Sequence, residues 1–265
     1  MNVLLKSRGR GDMPSIVALI PARSGSRRVT DKNVRRLGEH PLLAYSIAAA
    51  LQSGIFSAVV VSTDSAAYAA IARRYGAQVP FLRPDSFAGD VSPDIDWVAH
   101  ALGELGNRGQ SYDCFSILRP TSPFRLPQTI RRAWQRFLGE DSIDSLRAVE
   151  KCRQHPGKMW VLNNRRMMPL LPLHVSGQPW HSSQYQSLPD IYVQNASLEI
   201  AWTRAVTDKA SISGDIVTPF LTEGYEGVDI NTDDDWQFAE YLLYNGLAKL
   251  PAMEYSPSPE TEPCP

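Results

Sequence analysis

The chain has 265 residues, of which 43% are hydrophobic, enough for one large domain or one domain with a small insertion. A formal net charge of −1 gives no global drive toward nucleic acid or acidic membranes, so any anion site has to be a local cluster of cations. Cys114, Cys152 and Cys264 are too few and too scattered for a disulfide framework or a cysteine zinc site, and no apolar run approaches the roughly 20 residues of a membrane helix.

Residues 1–14 are polar and glycine-rich, lack the apolar segment of a signal peptide, and predict a disordered leader on a cytoplasmic protein. Ile16–Ile20 is a β-branched and aliphatic run of the kind that a parallel sheet buries on both faces. Pro21 ends it, since proline cannot donate to a sheet ladder. The next loop sets Ser24, Gly25 and Ser26 among Arg23, Arg27, Arg28 and Lys32. Small residues let backbone N–H groups approach a ligand, and the cations neutralise an oligophosphate. A solvated basic loop is the competing reading, for the loop matches neither G-x-x-x-x-G-K-[ST] nor G-x-G-x-x-G. Leu42–Leu51 predicts a helix. Strand, basic loop and helix is how α/β folds hold nucleotides beyond the carboxyl ends of their strands.

Ala58–Val61 predicts a second strand, Ser62-Thr63-Asp64 a cap, Ala66–Tyr75 a helix stopped by Gly76, and Gln78–Leu82 a third strand, which gives a βαβαβ half-sheet. A turn-rich loop leads into a helix over Ile95–Leu105, favoured at its start by Asp94 and Asp96. Asp113–Leu118 predicts a strand with Cys114 as a buried thiol, and Pro127 opens a helix to Leu138. Ser142–Val149 reads as a further strand. Residues 151–190 carry a strand at Met159–Leu162 and a turn at Asn163-Asn164 among scattered Pro, His, Gln and Ser. They predict a lobe inserted into one α/β domain made of 15–150 and 191–250. Ile191–Thr203 and Ile216–Leu221 read as strands, Gly224–Asp235 as an acidic loop, Trp236–Leu247 as a closing helix, and 251–265 as a proline-rich disordered tail.

Five blocks occur in an order that covers about Ile16 to Leu247: Pro21-Ala-Arg-Ser-Gly-Ser-Arg-Arg28 with Lys32-Asn33; Val60-Val-Ser-Thr-Asp64; Phe81-Leu-Arg-Pro84 with Ala88-Gly-Asp90; Arg119-Pro-Thr-Ser-Pro-Phe-Arg125; and Val228-Asp-Ile-Asn-Thr-Asp233. Together they resemble the acylneuraminate cytidylyltransferase family, the CMP-sialic acid synthetases and relatives. The resemblance implies an α/β, Rossmann-like nucleotide-diphospho-sugar transferase fold. This has a mostly parallel central sheet, helices on both faces, and an inserted lobe that forms a homodimer and reaches the neighbouring subunit's site. It implies transfer of CMP from CTP to the anomeric hydroxyl of an α-keto-deoxy sugar acid (a sialic acid or related nonulosonic acid), with pyrophosphate released and Mg2+ as cofactor. Neither nucleic acid nor membrane is among the implied partners.

By the same resemblance Arg23 and Lys32 match the triphosphate-binding cations, and with Asp229 they are the catalytic candidates. Ala22, Ser24, Gly25 and Ser26 supply the loop, Arg27 a further cation, and Asn33 a ribose or phosphate contact. Arg83 and Ser92 stand where the family reads cytosine, with a surface salt bridge as the other reading of Arg83. Asp229 matches the first aspartate of a metal-binding Asp-x-Asp, but the second is Asn231, a neutral and weaker magnesium ligand. That departure implies weaker metal affinity, an outer-shell role for Asn231, or help from Asp233. The run Asp233–Asp235 also reads as a helix cap.

The acceptor side departs further. Arg119 stands where the family often has Gln, before Pro120-Thr121-Ser122-Pro123, and either pairs with the acceptor carboxylate or changes which sugar is accepted. Thr121 and Ser122 stand with it as substrate-binding candidates. Along Gln194-Asn-Ala-Ser-Leu-Glu199 the family pattern is roughly Arg-Pro-Asn-Gly-Ala-Ile-Tyr. Only Asn195 is clearly kept, the upstream cation is absent, and Glu199 replaces an aromatic. Glu199 reads as a base of raised pKa or as the partner of an arginine. Lys158, in His155-Pro-Gly-Lys158, resembles a residue presented across the dimer to the partner's sugar. His40, His100, His174 and His181 have no metal or triad spacing, and no G-x-S-x-G elbow occurs. Two other readings are transfer to a different sugar or a sugar phosphate, and a CTP-binding pseudoenzyme, the latter motivated by Asn231 and Glu199.

Overall fold

A computed structural model describes residues 13–26 and 28–253. Ile16–Pro21 forms β1, whose alternate side chains feed two cores: Ile16, Ala18 and Ile20 enter one, Val17 and Leu19 the other. Such two-sided burial is what its unbroken apolar run demands. The other strands of the central sheet are β2 (Ala58–Ser62), β3 (Cys114–Ile117), β4 (Ser145–Lys151), β5 (Tyr192–Trp202) and β6 (Val217–Leu221), in the spatial order β6-β4-β5-β3-β1-β2. β1 pairs in parallel with β2 and β3, and β6 in parallel with β4; β5 alone runs antiparallel, between β3 and β4. The sheet is therefore mostly parallel, and its carboxyl edge gathers the loops after β1, β3, β4 and β6.

Helices cover both faces. On one lie α1 (Leu42–Ser53), α2 (Ala66–Arg74) and α4 (Pro127–Leu138), which contribute Leu43, Tyr68 and Trp134 to the first core. On the other lie α3 (Asp94–Asn107) and α5 (Thr203–Lys209), with Trp97, Val98 and Val206. A third cluster, including Leu42, Tyr45, Phe124, Ile230 and Trp236, seats α6 (Asp233–Tyr244) beside the start of α1.

Several boundaries differ from the sequence expectation for physical reasons. Gln78–Leu82 is not a strand: one parallel bridge joins Val60 to Gln78, and Pro80 cannot continue the ladder. α5 is additional, a short helix ended by Ala210 at φ 49°. α6 begins at Asp233 rather than Trp236, because the Thr232 hydroxyl accepts from the Asp235 N–H and the Asp235 carboxylate accepts from the Thr232 N–H. Pro251 is buried and the Ala252 carbonyl accepts from Gln52 Nε2 at 2.6 Å, so the domain packs through Met253. The expectations for residues 1–12 and for the rest of the tail, Cys264 included, lie outside the described residues.

Between β4 and β5 the chain makes an excursion. It contains the hairpin Trp160–Asn163 with Arg166–Pro169 and a shorter one, His174–Val175 with Gln178–Pro179. Its centre is His155, 5% exposed, whose Nδ1 accepts from the Gly157 N–H at 3.0 Å while Nε2 meets the Pro189 carbonyl at 3.0 Å. Trp180 and Tyr185 pack edge-on against its ring.

Candidate active site

Two cavities adjoin at the carboxyl edge of the sheet. One, of about 370 Å3, is walled by the loop after β1, by Arg83, by Gly89–Ser92 and by Trp97; the other, of about 460 Å3, lies between the ends of β4 and β5 and the 224–238 segment. Arg119, Ala196 and Asp229 line both and form the junction. Open α/β sheets hold ligands at this edge.

The first cavity is cationic. Arg23, Arg28 and Lys32 line it, with Ser26 and Asn33. Arg23 pairs with Asp90 at 2.7 Å, and its carbonyl accepts from Asn33 Nδ2 at 3.0 Å, so buried Asn33 holds the loop rather than merely edging it. Lys32 Nζ donates to the Ile230 carbonyl at 2.7 Å. Burial lowers the Lys32 pKa most, the nearby Asp229 opposes this, and Arg28 and Arg23 lower it further.

Ser24 is fixed from outside the loop. Its N–H and hydroxyl both donate to the Asp64 carboxylate, at 2.7 and 2.6 Å, and Asp31, at φ 49°, accepts from the Tyr68 hydroxyl at 2.9 Å. Ser24 thus gives its donors to Asp64, and neither Ser24, Gly25 nor Ala22 lines the cavity, whereas Ser26 does. Gly25 takes φ 69°, a conformation that favours glycine. Asp64, which the sequence presents as a helix-cap residue and as the end of the block Val60–Asp64, is what holds this loop. Asp64→Ala is expected to weaken binding of a phosphate ligand in this cavity about tenfold by freeing this clamp, read by titration of the variant against the wild type. Arg27 falls outside the described residues.

Arg83 is 4% exposed and not a surface salt bridge. Its Nε donates to Ser62 Oγ at 3.0 Å, its Nη2 to the Ser62 carbonyl at 2.9 Å, and its guanidinium lies over the Trp97 ring, 4.8 Å from the centroid. Burial lowers its pKa to about 10, which still leaves it charged near neutrality. Ser92 Oγ accepts from the Gly89 N–H at 3.1 Å and closes the adjoining turn. Arg83, Trp97 and this turn wall one part of the cavity, and Trp97 Nε1 donates to Asp94 Oδ1 at 2.7 Å, which ties the wall to Arg119.

At the junction, Arg119 Nη2 donates to Asp94 Oδ2 at 2.7 Å and to Glu199 Oε1 at 2.9 Å, and Arg147 Nη1 lies 2.8 Å from Glu199 Oε2. The two departures noted in the sequence, Arg119 and Glu199, are one ion pair. Glu199 is 4% exposed and lines neither cavity, so it packs as an arginine's partner. Burial disfavours the charge on Arg119, but Glu199 and Asp94 outweigh it and raise its pKa. For Asp94, burial pushes the pKa up, and the Arg119 hydrogen bond and charge bring the net shift down. The guanidinium expected to hold an acceptor carboxylate is therefore already shared between two carboxylates. Below it, Arg125 is 1% exposed and donates to the Ser197 carbonyl, to Ser46 Oγ at 2.7 Å and to the Arg119 carbonyl at 3.3 Å, pinning the junction loop to α1 and β5. Thr121 lines the first cavity, and its carbonyl accepts from the Ile230 N–H at 2.8 Å; Ser122 is buried and reaches neither cavity.

Asp229 bears on the metal question. Its Oδ2 accepts from Asn231 Nδ2, while its Oδ1 is buried without a hydrogen-bond partner among the described residues. Magnesium is commonly held by one or two carboxylates together with substrate phosphates. An orphaned carboxylate oxygen at the junction fits that requirement, and the described residues contain no group of three or more His, Cys, Asp or Glu that would hold an ion by themselves. Asn231 turns its oxygen to Arg28, at 3.4 Å, and its amide nitrogen to Asp229, so in this arrangement it orients the aspartate. Asp233 pairs instead with Arg35 at 2.8 Å.

In the second cavity, Asn195 Nδ2 donates to Thr222 Oγ1 at 2.9 Å and approaches Glu150 Oε2 at 3.4 Å. A Cβ on Gly227 would lie 2.2 Å from Glu150 Oε2 and 2.5 Å from Asn195 Nδ2, so a side chain here would displace this pair. Lys158 lies in the excursion, where its Nζ donates to the carbonyls of His181 and Ser183 at 3.0 and 2.6 Å; it lines neither cavity of its own chain.

Comparison with known proteins agrees with this architecture. Residues 17–105 match the family model described as Cytidylyltransferase. The CMP-N,N'-diacetyllegionaminic acid synthase of Legionella pneumophila is 34% identical over 233 residues, which is 86% of this chain and 96% of that one. The chain belongs to the acylneuraminate cytidylyltransferase family. It is a nucleotidyltransferase. Within this family, the N-acylneuraminate cytidylyltransferase of Escherichia coli O18:K1:H7 is 48% identical over 110 residues, covering 42% of this chain and 25% of that protein. A pseudaminic acid cytidylyltransferase of Campylobacter jejuni is 28% identical over 227 residues, or 85% of this chain and 95% of the other. Among solved structures, CMP:2-keto-3-deoxy-manno-octonic acid synthetase complexed with CTP superposes with a TM-score of 0.63 at 14% identity, over 88% of this chain and 99% of that one, which establishes the cytidylyltransferase fold.

Proposed function

We propose that the protein transfers CMP from CTP to the anomeric hydroxyl of an α-keto-deoxy sugar acid, a sialic acid or related nonulosonic acid, and releases pyrophosphate. The observation that carries this reading is the pair of cavities meeting at Asp229 and Arg119, one cationic and sized for a nucleotide, the other polar and open to an acceptor. The relatives with near-complete coverage act, by their names, on legionaminic and pseudaminic acids.

In this reading CTP lies in the first cavity, its base toward Arg83, Trp97 and the Ser92 turn, and its triphosphate toward Arg23, Arg28, Lys32 and Ser26. The acceptor lies in the second, against Asn195, with its hydroxyl at the junction. Holding both reactants in line converts a bimolecular step into an effectively unimolecular one. The hydroxyl oxygen bonds to the α-phosphorus as the α–β anhydride breaks, and the cations stabilise the charge gathering on pyrophosphate. Asp229 Oδ1 would hold Mg2+, with Asn231 orienting the carboxylate; when bound, the ion would neutralise charge on the phosphate oxygens.

The excursion supports a homodimer, since Leu162, Met167 and Met168 are 73%, 55% and 51% exposed on one hairpin. Lys158 spends two of its three donors on its own excursion, which keeps a third to present to a partner's acceptor. CTP as donor puts the reaction in the cytoplasm. The test is pyrophosphate release from CTP and Mg2+ against a panel of eight- and nine-carbon keto-deoxy acids, with UTP, GTP and ATP as controls. Release with CTP and one acid is expected; release with a sugar phosphate instead, or from CTP with no acceptor dependence, contradicts the proposal.

A further inference from the structure

The second cavity has an unspent cation. Its charged wall residues are Arg119, Glu150, Arg153, Asp229 and Asp235. Arg119 is neutralised by Asp94 and Glu199, Glu150 is approached by Asn195, Asp229 is held by Asn231, and Asp235 caps α6. The Arg153 side chain is exposed and makes no hydrogen bond or ion pair among the described residues. An acid entering a cavity walled by Glu150, Asp229 and Asp235 is repelled unless a guanidinium meets it.

The backbone explains how Arg153 comes to be there. β4 and β5 run side by side with Val193 opposite Glu150, and Arg153 lies two residues beyond the end of β4. The segment is held from the excursion: the Arg153 carbonyl accepts from the Tyr185 hydroxyl at 3.2 Å, and the same hydroxyl meets the His155 N–H. On β5 the stretch before Asn195 holds Val193 and Gln194, without the cation of the family pattern, and both line the cavity with Arg153.

We propose that Arg153 is the specificity-determining residue that binds the acceptor's carboxylate from just beyond the end of β4, while Arg119 serves as a strut. This rests on the reading of the acceptor as a sugar acid. A planar guanidinium pairs with a carboxylate through two parallel hydrogen bonds, which an ammonium cannot reproduce.

The test compares an acceptor acid with its carboxamide in the wild-type protein, Arg153→Met and Arg153→Lys. The wild type is expected to prefer the acid. In Arg153→Met, kcat/KM for the acid falls about 10- to 100-fold, chiefly through acceptor KM, the acid-to-amide preference collapses toward one, and KM for CTP is unchanged. Arg153→Lys recovers part of the preference. An acid preference in Arg153→Met equal to that of the wild type overturns the assignment and leaves cytidylyl transfer standing. If the wild type neither turns over nor binds any acid of the panel, the sugar-acid reading fails and this inference falls with it.

Discussion

Lys32→Ala is expected to lower kcat for pyrophosphate release about 10²- to 10³-fold with the fold retained, the range seen when one preorganised donor is removed from a site of developing charge. Lys32 is half-buried between the loop after β1 and the Ile230 carbonyl, in a wall shared with Arg23 and Arg28. Its pKa is lowered, first by burial and then by the two arginines against Asp229. The sign follows: a lysine whose pKa is depressed loses its proton below the ordinary lysine range, so the alkaline limb of activity falls at lower pH than for a solvated lysine. Bound triphosphate favours the charged form, so kcat should hold to higher pH than kcat/KM for CTP. Rates and a pH profile, with circular dichroism as the folding control, decide it. An unchanged kcat in Lys32→Ala removes Lys32 from the site.

Asp229→Asn is expected to cost on the order of 10³-fold in kcat, because it removes a cavity-lining carboxylate whose Oδ1 is buried without a hydrogen-bond partner among the described residues. A second effect separates this from general damage. Asp229 is the largest influence that raises the Lys32 pKa, so in Asp229→Asn the alkaline limb should move to still lower pH. The magnesium concentration for half-maximal rate should rise as well. A variant with wild-type magnesium dependence would show that the ion is held elsewhere.

Much of this was legible in the chain. The run Ile16–Ile20 announces a two-sided buried strand, and the basic loop behind Pro21 needs no long-range information. Other features were hidden by distance along the chain. Asp64 holds Ser24 from 40 residues away, and Arg119 meets Glu199 across 80. Read locally, Asp64 is a capping residue, and Arg119 and Glu199 are two separate departures. Only the adjacency of β3 and β5 makes them a pair. Arg125 looks like the end of a polar loop, yet it is among the most buried side chains, because the Ser197 and Arg119 carbonyls turn inward to meet it. Pro80 interrupts what periodicity alone reads as a strand, and α5 is too short for its periodicity to declare a helix.

The most direct test of CMP transfer to the anomeric hydroxyl is to follow that oxygen. An acceptor acid carrying 18O at the anomeric hydroxyl, incubated with CTP, Mg2+ and the protein, should give a CMP-linked product with the label in the bridge between sugar and phosphorus, seen as an isotope shift in the phosphorus spectrum. The pyrophosphate should be unlabelled. A product with no label in the bridge, or CMP formed with the label left on free sugar, would contradict attack of the acceptor hydroxyl on the α-phosphorus.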